Sequence, residues 1–198
     1  MIKNRCELTR RIGIDMGHRV PDHGSKCRNP HGHRYEILAT CEGPVINQRG
    51  NEENGMVIDF GNIKKYMMDL LDAAFDHGFV IYSKDVAMMN MFFPGQDHEK
   101  VLHEYNEVWE KELNIYRDAV ANSEKPLPIS LPRTLYSDQD PDGMKIIVVD
   151  YVPTAENLAQ HMFDMLQIPI QAHYGNGVID LKNIVLYETP NGSVQVGN

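Results

Sequence analysis

The sequence predicts an α+β fold, with two helices packed on one face of an antiparallel sheet. Three observations lead there. Apolar residues alternate in two runs near the N-terminus, two later segments carry apolar residues at i, i+3, i+4 and i+7, and two short C-terminal runs are separated by Thr189-Pro190-Asn191-Gly192, which contains Asn-Gly. Period two marks a strand with one buried face, the longer period marks an amphipathic helix, and Asn-Gly is the strongest short hairpin signal.

Glu7 to His18 (Leu8, Ile12, Ile14, Met16) reads as the first strand, and Arg19 to Pro30, rich in Pro, Asp, Gly, Lys and Asn, as an irregular loop. The second strand is His33 to Cys41, with His33, Tyr35 and Ile37 on one face. After a Gly- and Asn-rich turn (Gly50 to Gly55), Met56-Val57-Ile58 leads through Asp59-Phe60 into a helix whose stripe is Ile63, Tyr66, Met67, Leu70, Leu71 and Ala74. Residues 83–147 read as a partly helical insertion. It opens with a Met- and Phe-rich patch, Met88 to Phe93, expected to form a small satellite core. A helix from His98 to Ala121 follows, with Leu102, Tyr105, Trp109, Leu113, Tyr116 and Val120 as its stripe, and then Pro126, Pro128, Pro132 and Pro141 suggest an excursion over the surface. A strand at Met144 to Val149 precedes a second core helix with Thr154 as N-cap, Glu156 in its first turn, and Leu158, Ala159, Met162 and Leu166 buried. Leu181 to Glu188 and Ser193 to Val196 complete the order, which places helices on an antiparallel sheet in one domain, 1–198.

Composition narrows the function. The 198 residues carry 19 Lys+Arg against 28 Asp+Glu, a formal charge of −9. That balance opposes a nucleic-acid binder, which needs clustered basic residues. No apolar run approaches the ~18–20 residues of a membrane span, and Met1 to Arg5 lack the apolar core of a secretion signal, so the expected location is the cytoplasm. Three cysteines, Cys6, Cys27 and Cys41, form no CxxC pair, which argues for reduced thiols.

The chemistry should lie where histidines concentrate: His18, His23, His31 and His33. His31-Gly32-His33 sets two imidazoles on one side of a strand, with Gly32 expected to leave room for a metal between them. His18, at the end of the neighbouring strand, supplies a third ligand, with His23 in the loop as its competitor. Three imidazoles and an open position are the arrangement of catalytic zinc. Cys27, flanked by Lys26 and Arg28, either closes the site as a fourth ligand of a structural zinc or stays unbound nearby as an ionised proton acceptor. Spacing leaves both open.

Cys27-Arg28-Asn29-Pro30-His31-Gly32-His33, preceded by Gly17-His18-Arg19, resembles the 6-pyruvoyl-tetrahydropterin synthase and 6-carboxytetrahydropterin synthase family. Met56 to Phe60, Asp76-His77, Pro153 to Leu158 and Tyr187-Glu188-Thr189 extend the resemblance over residues 5–82 and 150–197. The three residues between Cys27 and the HGH resemble the queuosine-pathway 6-carboxytetrahydropterin synthases. The resemblance implies the tunnelling fold (T-fold), and a zinc ion on His18, His31 and His33 that takes the side-chain hydroxyls of 7,8-dihydroneopterin triphosphate. It also implies Cys27 as proton acceptor, Asp76 orienting His77 as a relay, Glu188 anchoring the pterin, and Thr154 and Glu156 close by. Products would be 6-carboxytetrahydropterin, acetaldehyde and triphosphate. A pyruvoyl-forming synthase on the same substrate and a non-catalytic zinc-pinned pterin-binding module are the alternatives. Family members assemble as hexamers of two trimeric rings with sites between subunits, so a homo-oligomer is implied. Without the family, Asp76-His77 reads as a satisfied pair at a helix end, Glu188 as a solvated strand-edge acid, and Thr154 and Glu156 as helix-terminal groups. A triphosphate must also find local positive charge on an acidic protein, for which Lys26, Arg28 and Arg34 are the candidates.

Overall fold

The computed structural model describes residues 5–132 and 143–197. Met1 to Asn4 and Pro141, on which parts of the sequence reading rest, lie outside the described residues. Strands β1 (Arg5–His18) and β2 (His31–Pro44) form an antiparallel pair in unbroken register, from Arg5 opposite Pro44 to His18 opposite His31. Alternation turns Ile12, Ile14, Met16 and His18 of β1, and Tyr35, Ile37 and Ala39 of β2, onto one buried face. Gly17 and Gly32 are partners on the opposite parity. A Cβ on Gly17 would meet the Phe79 ring at 2.5 Å, and one on Gly32 would meet the Met16 carbonyl at 3.0 Å. Gly32 faces the side of the strand opposite His31 and His33, where a Cβ would press on the Met16 carbonyl, so it does not lie between the two imidazoles as expected.

Asp59 caps the next helix by accepting from Gly61 N at 2.5 Å. The helix runs through α1 (Phe60–Tyr66), a π-helical turn (Met67–Asp72) and α2 (Ala73–Phe75), and the expected stripe from Ile63 to Ala74 is buried. It delivers the chain to β3 (Gly78–Tyr82), which pairs parallel with β1 and with β4 (Ile146–Val149). With β5 (Asp180–Thr189) and β6 (Gly192–Gly197), the six-stranded order is β4-β3-β1-β2-β5-β6. The sheet is antiparallel across β1, β2, β5 and β6 and parallel at the β3–β4 end. A parallel step needs a long crossover, and the insertion between β3 and β4 is that crossover.

Within the insertion, Asp85 caps α3 (Val86–Phe92) and Asp97 caps α4 (His98–Ala121). Met88, Met89 and Phe93 belong to the one contiguous core cluster, so the expected satellite core is part of the main core. Tyr105, Trp109, Tyr116 and Val120 of α4 are buried, whereas Leu102 and Leu113 are only half-buried. Tyr105 donates to the Ile146 carbonyl at 2.5 Å, Tyr116 donates to Asp69 at 2.8 Å, and Trp109 lies 5.9 Å from the Phe75 ring. These contacts seat α4 against the β4 edge, the 60–75 helix and α5 (Ala155–Tyr174). The proline-rich stretch beyond is pinned by the buried Ile129, whose amide donates to the Asp69 carbonyl.

Candidate active site

The β1–β2 register brings His18 opposite His31, and alternation places His33 beside them. One ligand nitrogen from each ring lies within 4.8 Å of the others, the one such group among the described residues. Two tautomers are fixed by the backbone. His18 Nδ1 donates to the Pro153 carbonyl at 2.6 Å and His31 Nδ1 donates to the Asn29 carbonyl at 2.7 Å, leaving both Nε2 lone pairs for a metal. His33 Nε2 is buried and has no hydrogen-bond partner among the described residues. A buried nitrogen without a partner is what a missing ligand bond leaves behind, so the residues present fit a metal ion. Burial, reinforced by the two neighbouring imidazoles, lowers the His18 pKa against the pull of the Pro153 carbonyl and Glu188. A neutral ring is the metal-binding form. Three nitrogen donors with an open position suit zinc.

Glu188 on β5 and Tyr35 on β2 stand beside this group. Glu188 Oε1 lies 3.5 Å from His18 Nε2 and 3.9 Å from His33 Nε2, and the Tyr35 hydroxyl lies 3.1 Å from His18 Nε2 and 3.3 Å from Glu188. Burial, then Glu188, push the Tyr35 phenol far above its ordinary pKa, so it is a neutral donor here. Tyr35 was missed as a site residue, although its parity with His33 in the sequence could have found it.

A cavity of about 310 Å³ is lined by His18, His23, Cys27, Thr154, Glu156 and Glu188, among others. A second, of about 520 Å³, is lined by His33, Arg34, Tyr187 and Glu188, so Glu188 borders both. Cys27 sits half-buried in a 3₁₀ turn (Lys26–Arg28), held by the bond from Val20 N to its carbonyl at 2.8 Å, and outside the three-histidine group. His23 faces the cavity but also stays outside that group, its Nδ1 accepting from Ser25 N at 3.0 Å. Thr154 occupies the N-cap position of α5 without a side-chain capping bond, and its hydroxyl is free to serve the cavity. Lys26 and Arg28 are exposed and do not line the cavity, while Arg34 is paired with Asp15.

Asp76 and His77 form a tight pair, Nδ1 to Oδ2 at 2.6 Å. Asp76 also accepts from Asp15 N at 2.8 Å, and His77 N donates to the Asp15 carbonyl at 2.7 Å. These bonds hold His77 at φ 56° with its side chain 79% exposed. Burial works against charge on Asp76, yet the Asp15 amide, His77 and Lys145 bring its carboxyl below the usual range. The pair sits on the β3 side of β1 and lines neither cavity, so one chain does not bring it to Cys27.

Fold and site together define a T-fold protein with a three-histidine metal-type centre beside a carboxylate and a thiol. The family described as 6-pyruvoyl tetrahydropterin synthase matches residues 7–198, and the chain belongs to this family of pterin synthases. The chain is 30% identical over 190 residues to the 6-carboxy-5,6,7,8-tetrahydropterin synthase of Rickettsia conorii, covering 96% of this chain and 99% of that one. An enzyme of the same name from Aquifex aeolicus is 25% identical over 93% of both. Matches of this extent run through the insertion, beyond the two segments that carried the resemblance in the sequence. Among solved structures, an uncharacterised Wolinella succinogenes protein aligns with TM-score 0.67 at 21% identity, over 98% of this chain and 99% of that one. Plasmodium falciparum 6-pyruvoyl tetrahydropterin synthase aligns at 0.58 and 15%, over 98% of each, which shows the shared fold.

Proposed function

We propose that this chain is a zinc-dependent 6-carboxytetrahydropterin synthase, converting 7,8-dihydroneopterin triphosphate and one water to 6-carboxytetrahydropterin, acetaldehyde and triphosphate. The observation that carries the reading is the grouping of three imidazole nitrogens, one buried without a partner, beside Glu188, with His18 of that group lining a cavity that also presents Cys27 and Glu188. The Rickettsia relative's name and the three-residue spacing from Cys27 to His31 favour the carboxy product over the pyruvoyl one.

His18, His31 and His33 would hold zinc, which supplies a Lewis acid that polarises side-chain hydroxyls and acidifies the neighbouring C–H bonds. Glu188 accepts from the 2-amino group and adjacent ring N–H of the pterin, a paired contact like that of a carboxylate with an Arg fork. The neutral Tyr35 hydroxyl orients that carboxylate. Cys27 takes the side-chain proton. Thr154 and Glu156 border the substrate, and Lys26 and Arg28 attract its triphosphate. His77, oriented by Asp76, relays protons to the site of a neighbouring copy, which accounts for a fixed yet exposed imidazole and implies a homo-oligomer. The expected location is the cytoplasm, and no helix among the described residues is long and apolar enough to cross a membrane.

Incubation of the zinc-loaded protein with 7,8-dihydroneopterin triphosphate tests the reading. Acetaldehyde and 6-carboxytetrahydropterin are expected. A 6-pyruvoyl product without acetaldehyde would assign the sister reaction, and binding without turnover would assign a pterin-binding module.

A further inference from the structure

Cys27 rides on a loop that buries little of itself. Residues 22–26 are exposed, and Cys27 is only half-buried. The backbone bonds of the loop run between its own residues: Val20 N to the Cys27 carbonyl at 2.8 Å, His23 N to the Val20 carbonyl at 3.1 Å, Arg28 N to the Ser25 carbonyl and Asn29 N to the Lys26 carbonyl. These bonds shape the loop, and its two roots place it against the histidines. The far root is held by His31, whose Nδ1 donates to the Asn29 carbonyl. The near root is Arg19.

Arg19 follows His18 and reaches across to the start of the insertion. Its Nε lies 2.6 Å from Asp85 Oδ2, a charge contact rather than an aligned hydrogen bond, with the two side chains 20% and 3% exposed. Burial of the carboxylate sets this pair apart from an ion pair in solvent, because an unmatched charge at Asp85 would be costly. Asp85 is also a rigid anchor. Its Oδ1 accepts from Met88 N at 3.3 Å as the cap of α3, its own N donates to the Tyr82 carbonyl at 2.8 Å, and Met88, Met89 and Phe93 beyond it lie in the core. The path from this anchor to the thiol is short. The peptide unit joining Arg19 to Val20 carries the N–H that holds the Cys27 carbonyl. Val20 and Cys27 then line the cavity that His18 and Glu188 also line, whereas Arg19 itself stays outside it.

We propose that Arg19 is a positioning residue: anchored on Asp85, it fixes the Val20 amide and, through that amide, the place of Cys27 in the cavity beside the three histidines. The proposal rests on the reading of Cys27 as proton acceptor. It gives the insertion a part in the site, since Asp85 caps the first insertion helix.

Three substitutions test it. Arg19→Gln removes the cation, Asp85→Asn removes the carboxylate charge while keeping a good N-cap, and Arg19→Lys keeps a single charge contact that does not use the guanidinium fork. The rate of Cys27 alkylation by iodoacetamide is read on zinc-loaded protein carrying Cys6→Ser, in which Cys41 is buried and Cys27 is the accessible thiol. Arg19→Gln should raise that rate about fivefold as the released loop opens more often, the worth of one ion pair. Asp85→Asn should match it, the double variant should be no faster than either, and Arg19→Lys should restore the parent rate. Zinc per chain should stay the same throughout. With 7,8-dihydroneopterin triphosphate, kcat of Arg19→Gln should fall about tenfold at unchanged KM, because a misplaced base costs turnover and not binding. An alkylation rate unchanged in Arg19→Gln, or additive effects in the double variant, would overturn the proposal. Loss of zinc in Arg19→Gln would also overturn it, by moving the role of Arg19 to the metal ligands. If the parent protein turns over no pterin, the proposed function fails, while the alkylation series still decides the role of Arg19.

Discussion

The β1–β2 end and the insertion are both buried, but for opposite reasons. Around Tyr105 and Tyr116 the buried side chains pack against neighbours, and both hydroxyls are bonded to the protein. Around His18, His31 and His33, ring nitrogens converge on one point, and one of them has no protein partner. Burial that satisfies its polar groups builds a fold, whereas burial that leaves them converging and unmet marks a place for something else.

Four changes would sharpen or break that contrast. His33→Ala should have the largest effect, loss of bound zinc and of turnover, while urea unfolding of the metal-free protein stays close to that of the parent. Trp109→Ala should do the reverse. It should cost about 3–5 kcal/mol in denaturant unfolding, as for other buried Trp truncations, while zinc per folded chain is unchanged. A fall in metal content with Trp109→Ala would erase the distinction.

The pH dependence of the metal-free protein comes next. Burial pushes the His161 imidazole down to about 4, against the opposing pull of Asp164 and Asp150. Because the unfolded ring titrates near 6.5, the unfolded state binds the extra proton first as pH falls. Stability conferred by the neutral ring is therefore complete above that value and is lost toward pH 4, by up to about 3 kcal/mol. His18 is shifted the same way. Unfolding free energies measured across this window should show the slope, and His161→Phe should remove most of it. A slope unchanged in His161→Phe would assign it to other groups. Thr154→Ala should matter least to the fold, within about 0.5 kcal/mol, because its hydroxyl makes no capping bond. It should instead raise KM for the triphosphate, and a loss of stability without a change in KM would make Thr154 a helix cap after all.

Much of this was legible in the sequence because it rests on periodicity. The stripe from Ile63 to Ala74 and the α5 stripe are local patterns that the structure follows, and the C-terminal hairpin is present, although its turn is Pro190-Asn191 with Gly192 already paired to Thr189. β3 was missed because Phe79 to Tyr82 is a short apolar run without alternation, as expected of a strand flanked by neighbours on both sides and covered on both faces. Its parallel pairing depends on the crossover path, which no local pattern records. In the site, the histidines were legible because metal binding limits which residue types and spacings work. The role of Pro153 was not, since any residue could supply its carbonyl to His18. The separation of Asp76-His77 from the cavities was equally hidden, because Asp15 fixes it through backbone bonds.

The most direct test of the account is zinc-edge X-ray absorption on the ligand-free, zinc-loaded protein. Three imidazole ligands with Cys27 held apart as a proton acceptor predict a nitrogen and oxygen shell near ~2.0–2.1 Å and no sulfur scatterer. A zinc–sulfur distance near ~2.3 Å would contradict it, making Cys27 the fourth ligand of a closed structural site.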